Sequence, residues 1–315
     1  MFMSAVSAES AAAGSIPVSS RWQALRLFAL LSLLWCPLPL AAQWFSGSAL
    51  ELRSNDNVSR SPLEPYVEAD LVALASVDGG VHLQTGDYTG LTLAATVTRE
   101  QFRRFGGLSQ TRANLQATLE HKFGLGERAP SLQLGAAIER AAFKAGQRNY
   151  WLHSVRLGYR QRLTDTLLLS AALAHENQQG DYDQLRRAVP PAPQLPGDVW
   201  NLRALVASAS VEWDTGPASW LTVGLQYRDG ETAASIQPYP AVLLQSTAVT
   251  FDPVFGPGVV AYRIDAQTRQ LSLDWNLALS EAATAYVGIE RQLTRGGRSL
   301  SYQTGIIRAG VVFSY

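Results

Sequence analysis

The stretch LSYQTGIIRAGVVFSY, from Leu300 to Tyr315, alternates strictly between two kinds of residue. One series is apolar and ends in aromatic side chains: Gly305, Ile307, Ala309, Val311, Phe313 and Tyr315. The other is mixed in character: Tyr302, Thr304, Arg308, Gly310 and Ser314. A β-strand shows this period of two when one face meets hydrocarbon and the other meets a wetter space. The stretch therefore predicts a strand that crosses a membrane.

This stretch resembles the C-terminal strand of Gram-negative outer-membrane β-barrel proteins, which end in an aromatic residue preceded by alternating apolar residues. The resemblance is to porin-like barrels in general and indicates no specific family. It implies an all-β fold, a transmembrane antiparallel up-and-down β-barrel in the cell outer membrane, with both N- and C-termini periplasmic. It also implies contact with outer-membrane lipid and recognition of residues 300–315 by the barrel-assembly machinery.

An export signal is predicted at the start of the chain. Arg21 and Arg26 precede the apolar run LFALLSLLW at 27–35, which is followed by small residues up to Ala42. A basic region, a short apolar region and a small-residue exit are typical of a secretory signal peptide. We therefore expect residues 1–42 to be cleaved and residues 43–315 to form the barrel.

The cysteine and charge content limits the kinds of partner and stabilisation that are expected. Cys36 is the one cysteine, so the predicted exported chain has no disulfide. Trp35 precedes it, where lipid-attachment signals have a small residue, so lipidation is disfavoured. The chain carries 26 basic and 26 acidic residues. This balance gives no polybasic patch for nucleic acid, and no cofactor is predicted.

Alternation in twos continues over most of the chain. Leu271, Leu273 and Trp275, for example, interleave with polar residues between 271 and 280. A helix could not bury such a pattern on one face. We predict about 12 strands, at 46–55, 66–84, 90–104, 110–123, 130–144, 151–164, 166–180, 200–214, 219–230, 268–280, 283–295 and 300–315. A soluble β-sandwich is the alternative, but its strands are shorter, about 5–6 residues.

The predicted connections support the barrel. Short turns around Asp165, Gly216 and Glu281 alternate with long loops at 181–199 and 229–267, as expected when one end of a barrel has turns and the other has loops. The weakest strand is the second. Its sequence Asp78-Gly79-Gly80 could form a bulge, or a hairpin turn that would change the strand count.

The series opposite the apolar one is heavily charged, and we expect it to line the lumen. Unpaired charges cannot lie desolvated, so either water fills the lumen or the charges pair across it. Three arginines on the sixth strand and two acids two strands away could face each other as in a porin constriction, or could close the lumen with salt bridges. The predicted lumen-lining and selectivity residues are Arg156, Arg160, Arg162, Glu212, Asp214, Arg228, Asp274, Glu290 and Arg308.

The loop at 229–267 is unusually apolar for a segment that faces water. Three interpretations are open: it folds into the mouth and constricts or plugs the lumen, it binds a partner, or it extends the barrel wall as a hairpin. Two functions follow. The first is a channel for passive passage of small hydrophilic solutes. The alternative is a closed barrel that anchors the long loops 229–267 and 181–199 for a surface or secretion partner.

An enzyme is not expected. Outer-membrane lipid hydrolases place a histidine and a serine two residues apart on the lipid-facing side of one strand. The residues two positions after His82, His121, His153 and His175 are Gln84, Phe123, Val155 and Asn177, none of them serine. No residue spacing matches a metal site or a nucleotide-binding loop, so no catalytic residue and no metal is predicted.

Overall fold

A computed structural model describes residues 42–181, 198–297 and 300–315. The predicted signal peptide at 1–42 lies outside these residues except for Ala42, and so does most of the predicted loop at 181–199. The described residues contain thirteen strands: β1 (Ala42–Asn55), β2 (Asp70–Gly86), β3 (Thr89–Phe102), β4 (Gln110–Lys122), β5 (Ser131–Phe143), β6 (Tyr150–Thr164), β7 (Leu167–Gly180), β8 (Leu202–Gly216), β9 (Ser219–Ile236), β10 (Ala248–Phe251), β11 (Val260–Ser280), β12 (Ala283–Gly296) and β13 (Leu300–Ser314).

All the strands belong to one antiparallel sheet that closes on itself. Each of β1 to β8 pairs with the next strand, β9 pairs with β11, and β13 returns to β1, with Leu52 opposite Ala309. The twelve-strand antiparallel barrel is therefore confirmed. β10 is a short thirteenth strand that pairs with the end of β11.

The two faces of the wall differ as the alternation predicts. Large apolar side chains are exposed on the outside, for example Leu115 at 61%, Leu271 at 51% and Ile307 at 65%. Such a band is unfavourable in water and favourable in a bilayer. No helix among the described residues is long and apolar enough to cross a membrane.

The connections differ in length at the two ends of the barrel. β1 begins and β13 ends at one end, which we call the turn end, where strands are joined across residues 87–88, 123–130, 165–166, 217–218 and 281–282. The opposite end, the loop end, carries the connections 56–69, 103–109, 144–149, 181–201, 237–259 and 297–299. The predicted turns around Asp165, Gly216 and Glu281 all lie at the turn end.

The second strand is continuous. β2 begins at Asp70 rather than at residue 66, and Asp78-Gly79-Gly80 pairs with both β1 and β3 without a turn or bulge. A side chain on Gly80 would overlap the ring of Phe45. The glycine therefore makes room for an aromatic ring on the neighbouring strand, and the strand count stands.

β9 was predicted to end too early, and β11 was predicted to begin too late. β9 runs to Ile236 rather than 230, and β11 begins at Val260 rather than 268, with the two strands paired throughout. Gly230 marks the point where this hairpin leaves the wall. Its φ of +151° and its close approach to the backbone of Arg203 and Ala204 both exclude a side chain. Part of the predicted loop is thus a hairpin extension of the wall.

Candidate functional site: the lumen and its cap

Ion pairs on the lumen wall reach across one intervening strand. Arg308 on β13 binds Asp274 on β11 at 2.8 Å, over β12, and lies 3.7 Å from Glu290. The residue between them in the register is Gly288, where a Cβ would overlap the Asp274 carboxylate. The absence of a side chain at Gly288 allows the two charges to meet. Three of the predicted lumen residues therefore form one cluster.

Two further pairs follow the same geometry. Arg162 on β6 meets Asp214 on β8 at 3.4 Å, and Arg228 on β9 meets Glu176 on β7 at 3.6 Å. In the register, Arg162 lies level with Leu168 and then Glu212, so its pair with Asp214 is diagonal. The sequence pattern, which gives only the face of the wall, does not indicate this offset partner.

Arg156 and Arg160 are exposed although they lie on the lumen face of β6. Neither has a carboxylate within 4 Å among residues 42–181, 198–297 and 300–315. Among the same residues, Glu212 has no basic side chain within 4 Å. The wall beyond Arg156 consists of small or neutral side chains around a cavity of about 150 Å³: Ser170, Ser208, Ser210, Gly224, Gln226, Gln270 and Ser272. Solvent therefore reaches these arginines inside the barrel.

The predicted opposition of a basic and an acidic wall takes a different form in the structure. β6, which carries Arg156, Arg160 and Arg162, and β8, which carries Glu212 and Asp214, are separated by β7 alone. The two strands therefore lie on the same side of the twelve-strand barrel and do not face each other across the lumen. One arginine is neutralised by its acidic neighbour, and two remain directed into the lumen.

Residues 237–259, which we call the cap, cross the mouth at the loop end. The ring centre of Phe255 lies 4.9 Å from that of Phe105, in the β3–β4 connection. Six strands separate the β9–β11 hairpin from that connection in either direction around the barrel, β4–β9 one way and β11–β13 with β1–β3 the other. The cap therefore spans the mouth. Of the three interpretations of the loop at 229–267, folding into the mouth is the one that describes residues 237–259.

A buried ion pair holds the cap in place. The Asp252 side chain is fully buried and pairs with Arg148 in the β5–β6 connection, whose side chain is 11% exposed. Asp252 also accepts a hydrogen bond from the Ser235 hydroxyl at 2.5 Å. Arg148 stacks 4.5 Å above the Trp200 ring. Burial lowers the pKa of the Arg148 guanidinium, and the Asp252 carboxylate opposes that effect.

Beneath the cap lies a cavity of about 390 Å³. Wall residues such as Gln110, Tyr150 and Gln292 line it from the strands, and Arg148 and Trp200 line it from the loop end. The volume falls in the range of small-molecule sites, about 300–1,000 Å³.

Two carboxylates in the β7–β8 connection have shifted pKa values of opposite sign. The hydrogen bond from Arg140 to Asp181 lowers the pKa of that carboxyl. Burial raises the pKa of Asp198, whose Oδ1 accepts a hydrogen bond from the backbone of Trp200. Both residues fix the ends of the connection against the barrel.

Several residues of this site were not predicted. Glu176 occupies a lumen-facing position on β7, and the alternation of that strand could have identified it. Arg148, Asp252 and Arg60 lie in connections, where no periodicity indicates which way a side chain points. Their contacts follow from the path of the chain across the mouth.

No family model matches the chain, and no curated protein sequence matches it. An outer membrane channel from Pseudomonas putida F1 has a similar structure, with a TM-score of 0.52 and 13% identity over 88% of this chain and 97% of that channel. The fold is that of an outer-membrane β-barrel. The outer membrane channel DcaP of Acinetobacter baumannii gives a TM-score of 0.44 with 8% identity, over 89% of this chain and 99% of that chain.

Proposed function

We propose that the protein is an outer-membrane channel for the passive passage of small hydrophilic solutes. The observation that carries the proposal is the exposure of Arg156 and Arg160 inside a closed barrel whose outer face is apolar. A charged side chain on the lumen face can remain unpaired only where water reaches it. A water-filled lumen bounded by lipid provides a path for solutes that the bilayer excludes.

The charge distribution supports a role for the free arginines in selectivity. The guanidinium groups of Arg162, Arg228 and Arg308 are neutralised by carboxylates, whereas those of Arg156 and Arg160 are not paired within the described residues. In a narrow lumen with low-dielectric walls, such groups raise the local concentration of counter-ions. We propose that Arg156 and Arg160 are the principal selectivity residues, with Glu212 as the nearby acidic group.

Planar-bilayer recording of the refolded protein tests the function. We expect discrete conductance steps, and a shift of the reversal potential in a salt gradient when Arg156 and Arg160 are both replaced by glutamine. Arg269→Gln is the control, because it removes one positive charge from the exposed outer face of β11 rather than from the lumen. Wild-type protein without conductance steps would rule out a channel. Steps that are indifferent to the double substitution would rule out the selectivity residues.

Two further proposals concern the orientation of the barrel and its assembly in the outer membrane. We propose that the turn end faces the periplasm and that residues 300–315 are read by the barrel-assembly machinery. Tyr315 exchanges backbone hydrogen bonds with Ser46 at 2.9 and 3.2 Å, and its exposed side chain is accessible for such recognition. Tyr315→Ser is expected to reduce the amount of protein assembled in the outer membrane. Refolding of the same variant into detergent should be unaffected.

The alternative of a barrel that anchors its loops for a partner gains no specific support. The hairpin and cap turn Ile236, Val242, Ala248 and Val259 into the molecule. We also propose that the chain is not an enzyme. His82 and His121 hydrogen-bond to threonines on the neighbouring strand, and His153 and His175 are exposed on the outer face.

A further inference from the structure

Arg60 is held in an unusual backbone conformation. Its φ of +56° places it in the left-handed region, and no other non-glycine residue in the described part of the chain has a positive φ. This region is strained for an ordinary residue because of its Cβ, and glycine avoids the strain. A long cationic side chain at such a position indicates that the side chain has a use that offsets the backbone cost.

The surrounding connection is built to keep Arg60 in place. The side chain of Asn57 is buried, and its oxygen accepts hydrogen bonds from the Ser59 hydroxyl and the Ser61 backbone, both at 3.0 Å. The backbone N–H of Arg60 donates to the carbonyl of Asn57 at 3.2 Å. Ser59 and Ser61 are themselves buried, whereas Arg60 between them is exposed and lines the cavity beneath the cap. Asn57, Val58 and Ser59 also line that cavity, and Arg60 is the charged side chain that the connection presents to it.

Among the charged residues that line the cavity, Arg60 differs from the others in its lack of an ion-pair partner within the described residues. The other charged residues that line it are paired: Arg53 with Glu51, Glu100 with Arg112, Arg148 with Asp252, and Glu290 with Arg308. Among the described residues, no carboxylate lies within 4 Å of Arg60. Its charge also acts on its neighbours, since Arg60 contributes to the lowered pKa of Arg148. Arg308 also pairs with Asp274, and Arg112 also pairs with Glu139, so the positive charge of this lining that lacks a partner among the described residues is that of Arg60.

Hydrogen-bond donors at the edge of the cavity also lack acceptors. Trp200 Nε1 and Arg148 Nε are buried and make no hydrogen bond within the described residues. A buried donor without an acceptor has lost its hydrogen bonds to water and gained none in return, so a ligand oxygen that reaches it is favoured. Neutral amides of Gln110, Gln178 and Gln292 complete a polar lining that suits hydroxyl groups.

We propose that the cavity beneath the cap is a binding site for a small hydroxylated solute that carries a carboxylate or phosphate, with Arg60 as its anion ligand. The unpaired guanidinium of Arg60 and the donors without acceptors favour an acceptor-rich anion, and the volume of about 390 Å³ sets an upper limit on its size. The site deepens the proposed function, because it names the class of solute that such a channel would hold on its way through the lumen.

Isothermal titration calorimetry of the refolded full chain in detergent tests the site. Gluconate is the probe, sorbitol is its uncharged counterpart with the same number of carbon atoms, and inorganic phosphate tests whether the anion alone suffices. We expect gluconate to bind and sorbitol to bind at least tenfold more weakly. Arg60→Gln should weaken gluconate binding at least tenfold, and Arg60→Lys should retain most of it. Arg269→Gln on the outer face should have no effect.

Arg60→Gly distinguishes a binding role from a structural one. Glycine adopts the left-handed conformation without strain, so this variant should unfold at a higher temperature than the wild type while losing gluconate binding. A lower unfolding temperature would contradict the strain argument. Gluconate binding that is absent in the wild type, equalled by sorbitol, or unchanged in Arg60→Gln would overturn the site. Because calorimetry requires no conductance, this failure is separate from failure of the channel proposal.

Discussion

Individual glycines on the lumen face decide which charges can meet. At Gly288 the missing side chain leaves space for Arg308 to bind Asp274 over the intervening strand. At Gly310 the same arrangement lets the Tyr286 hydroxyl donate to Glu51 at 2.6 Å. Glycine weakens a strand by itself, so these positions exchange strand propensity for contacts between side chains two strands apart.

The first prediction concerns Gly288. We expect Gly288→Ala to lower the free energy of unfolding by about 1–3 kcal/mol, because the new Cβ separates Asp274 from Arg308 and leaves both under-bonded. Gly135→Ala is the matched control. It is also a lumen-facing strand glycine, but its Cβ would make ordinary contacts of 3.7 to 3.8 Å. Thermal unfolding in detergent should show a loss for the first variant and no loss for the second. Equal effects would contradict the role of the space at Gly288.

The second prediction concerns the pH dependence of the Arg140–Asp181 pair. The hydrogen bond from Arg140 lowers the pKa of Asp181 below its ordinary value of 3.8 in the folded protein. Its contribution to stability is therefore present above that value and is lost as the pH falls through the folded-state pKa. Asp181→Asn should lower the unfolding temperature at pH 7, and its difference from wild type should shrink as the pH falls below 4.

Asp229→Asn is the control for that experiment, since its carboxylate lies on the exposed face of β9. Its difference from wild type should be small and should not depend on pH. A pH-independent deficit in Asp181→Asn would mean that the substitution acts through packing rather than through the charge of the carboxylate.

At the scale of elements, the alternation predicted most strands to within a few residues because a wall between lipid and water requires it. It failed where that contrast disappears. Residues 232–236 at the end of β9 are buried on both faces, so the pattern of two is lost and the strand was predicted to end at 230. The β1–β2 connection was likewise predicted to end too early, since β2 starts at Asp70 rather than at residue 66.

The alternation of residues likewise predicted part of the candidate site and left the rest undetermined. The side of the wall on which Arg162, Asp214 and Arg308 lie follows from parity. Their pairing depends on the register between strands and on the space at Gly288, which parity does not give. The sequence of the cap shows no alternation of apolar and polar residues. Its contacts with connections half a barrel away depend on the closed sheet, which brings together residues such as Arg148 and Asp252 that are far apart in sequence.

The third prediction concerns the cap. Asp252→Asn leaves the Arg148 charge buried without its partner, which costs about 3–5 kcal/mol in comparable buried pairs. We expect the cap to release from the mouth, the mean conductance in planar bilayers to rise, and residues 237–259 to become sensitive to protease. Asp265→Asn is the control, because its carboxylate is exposed on the same hairpin. Unchanged conductance together with increased protease sensitivity would mean that the cap does not limit passage.

At the scale of the whole molecule, closure of the sheet accounts for both surfaces. A twelve-strand barrel lies between the eight-strand barrels whose interior is filled by side chains and the 16–18-strand barrels that enclose a wide channel. This chain fills the loop end with the cap and leaves the lumen around Arg156 and Arg160 open to solvent. The outer face needs a bilayer, and the inner face needs water.

Substituted-cysteine labelling along β6 tests this two-sided wall most directly. Single cysteines are placed at positions 155, 156, 157 and 160 of the Cys36→Ser protein in lipid vesicles, by Val155→Cys, Arg156→Cys, Leu157→Cys and Arg160→Cys, and are treated with a membrane-impermeant charged thiol reagent. We predict that positions 156 and 160 react at least tenfold faster than positions 155 and 157. Equal rates on the two faces, or faster reaction at positions 155 and 157, would contradict a water-filled lumen enclosed by a lipid-facing wall.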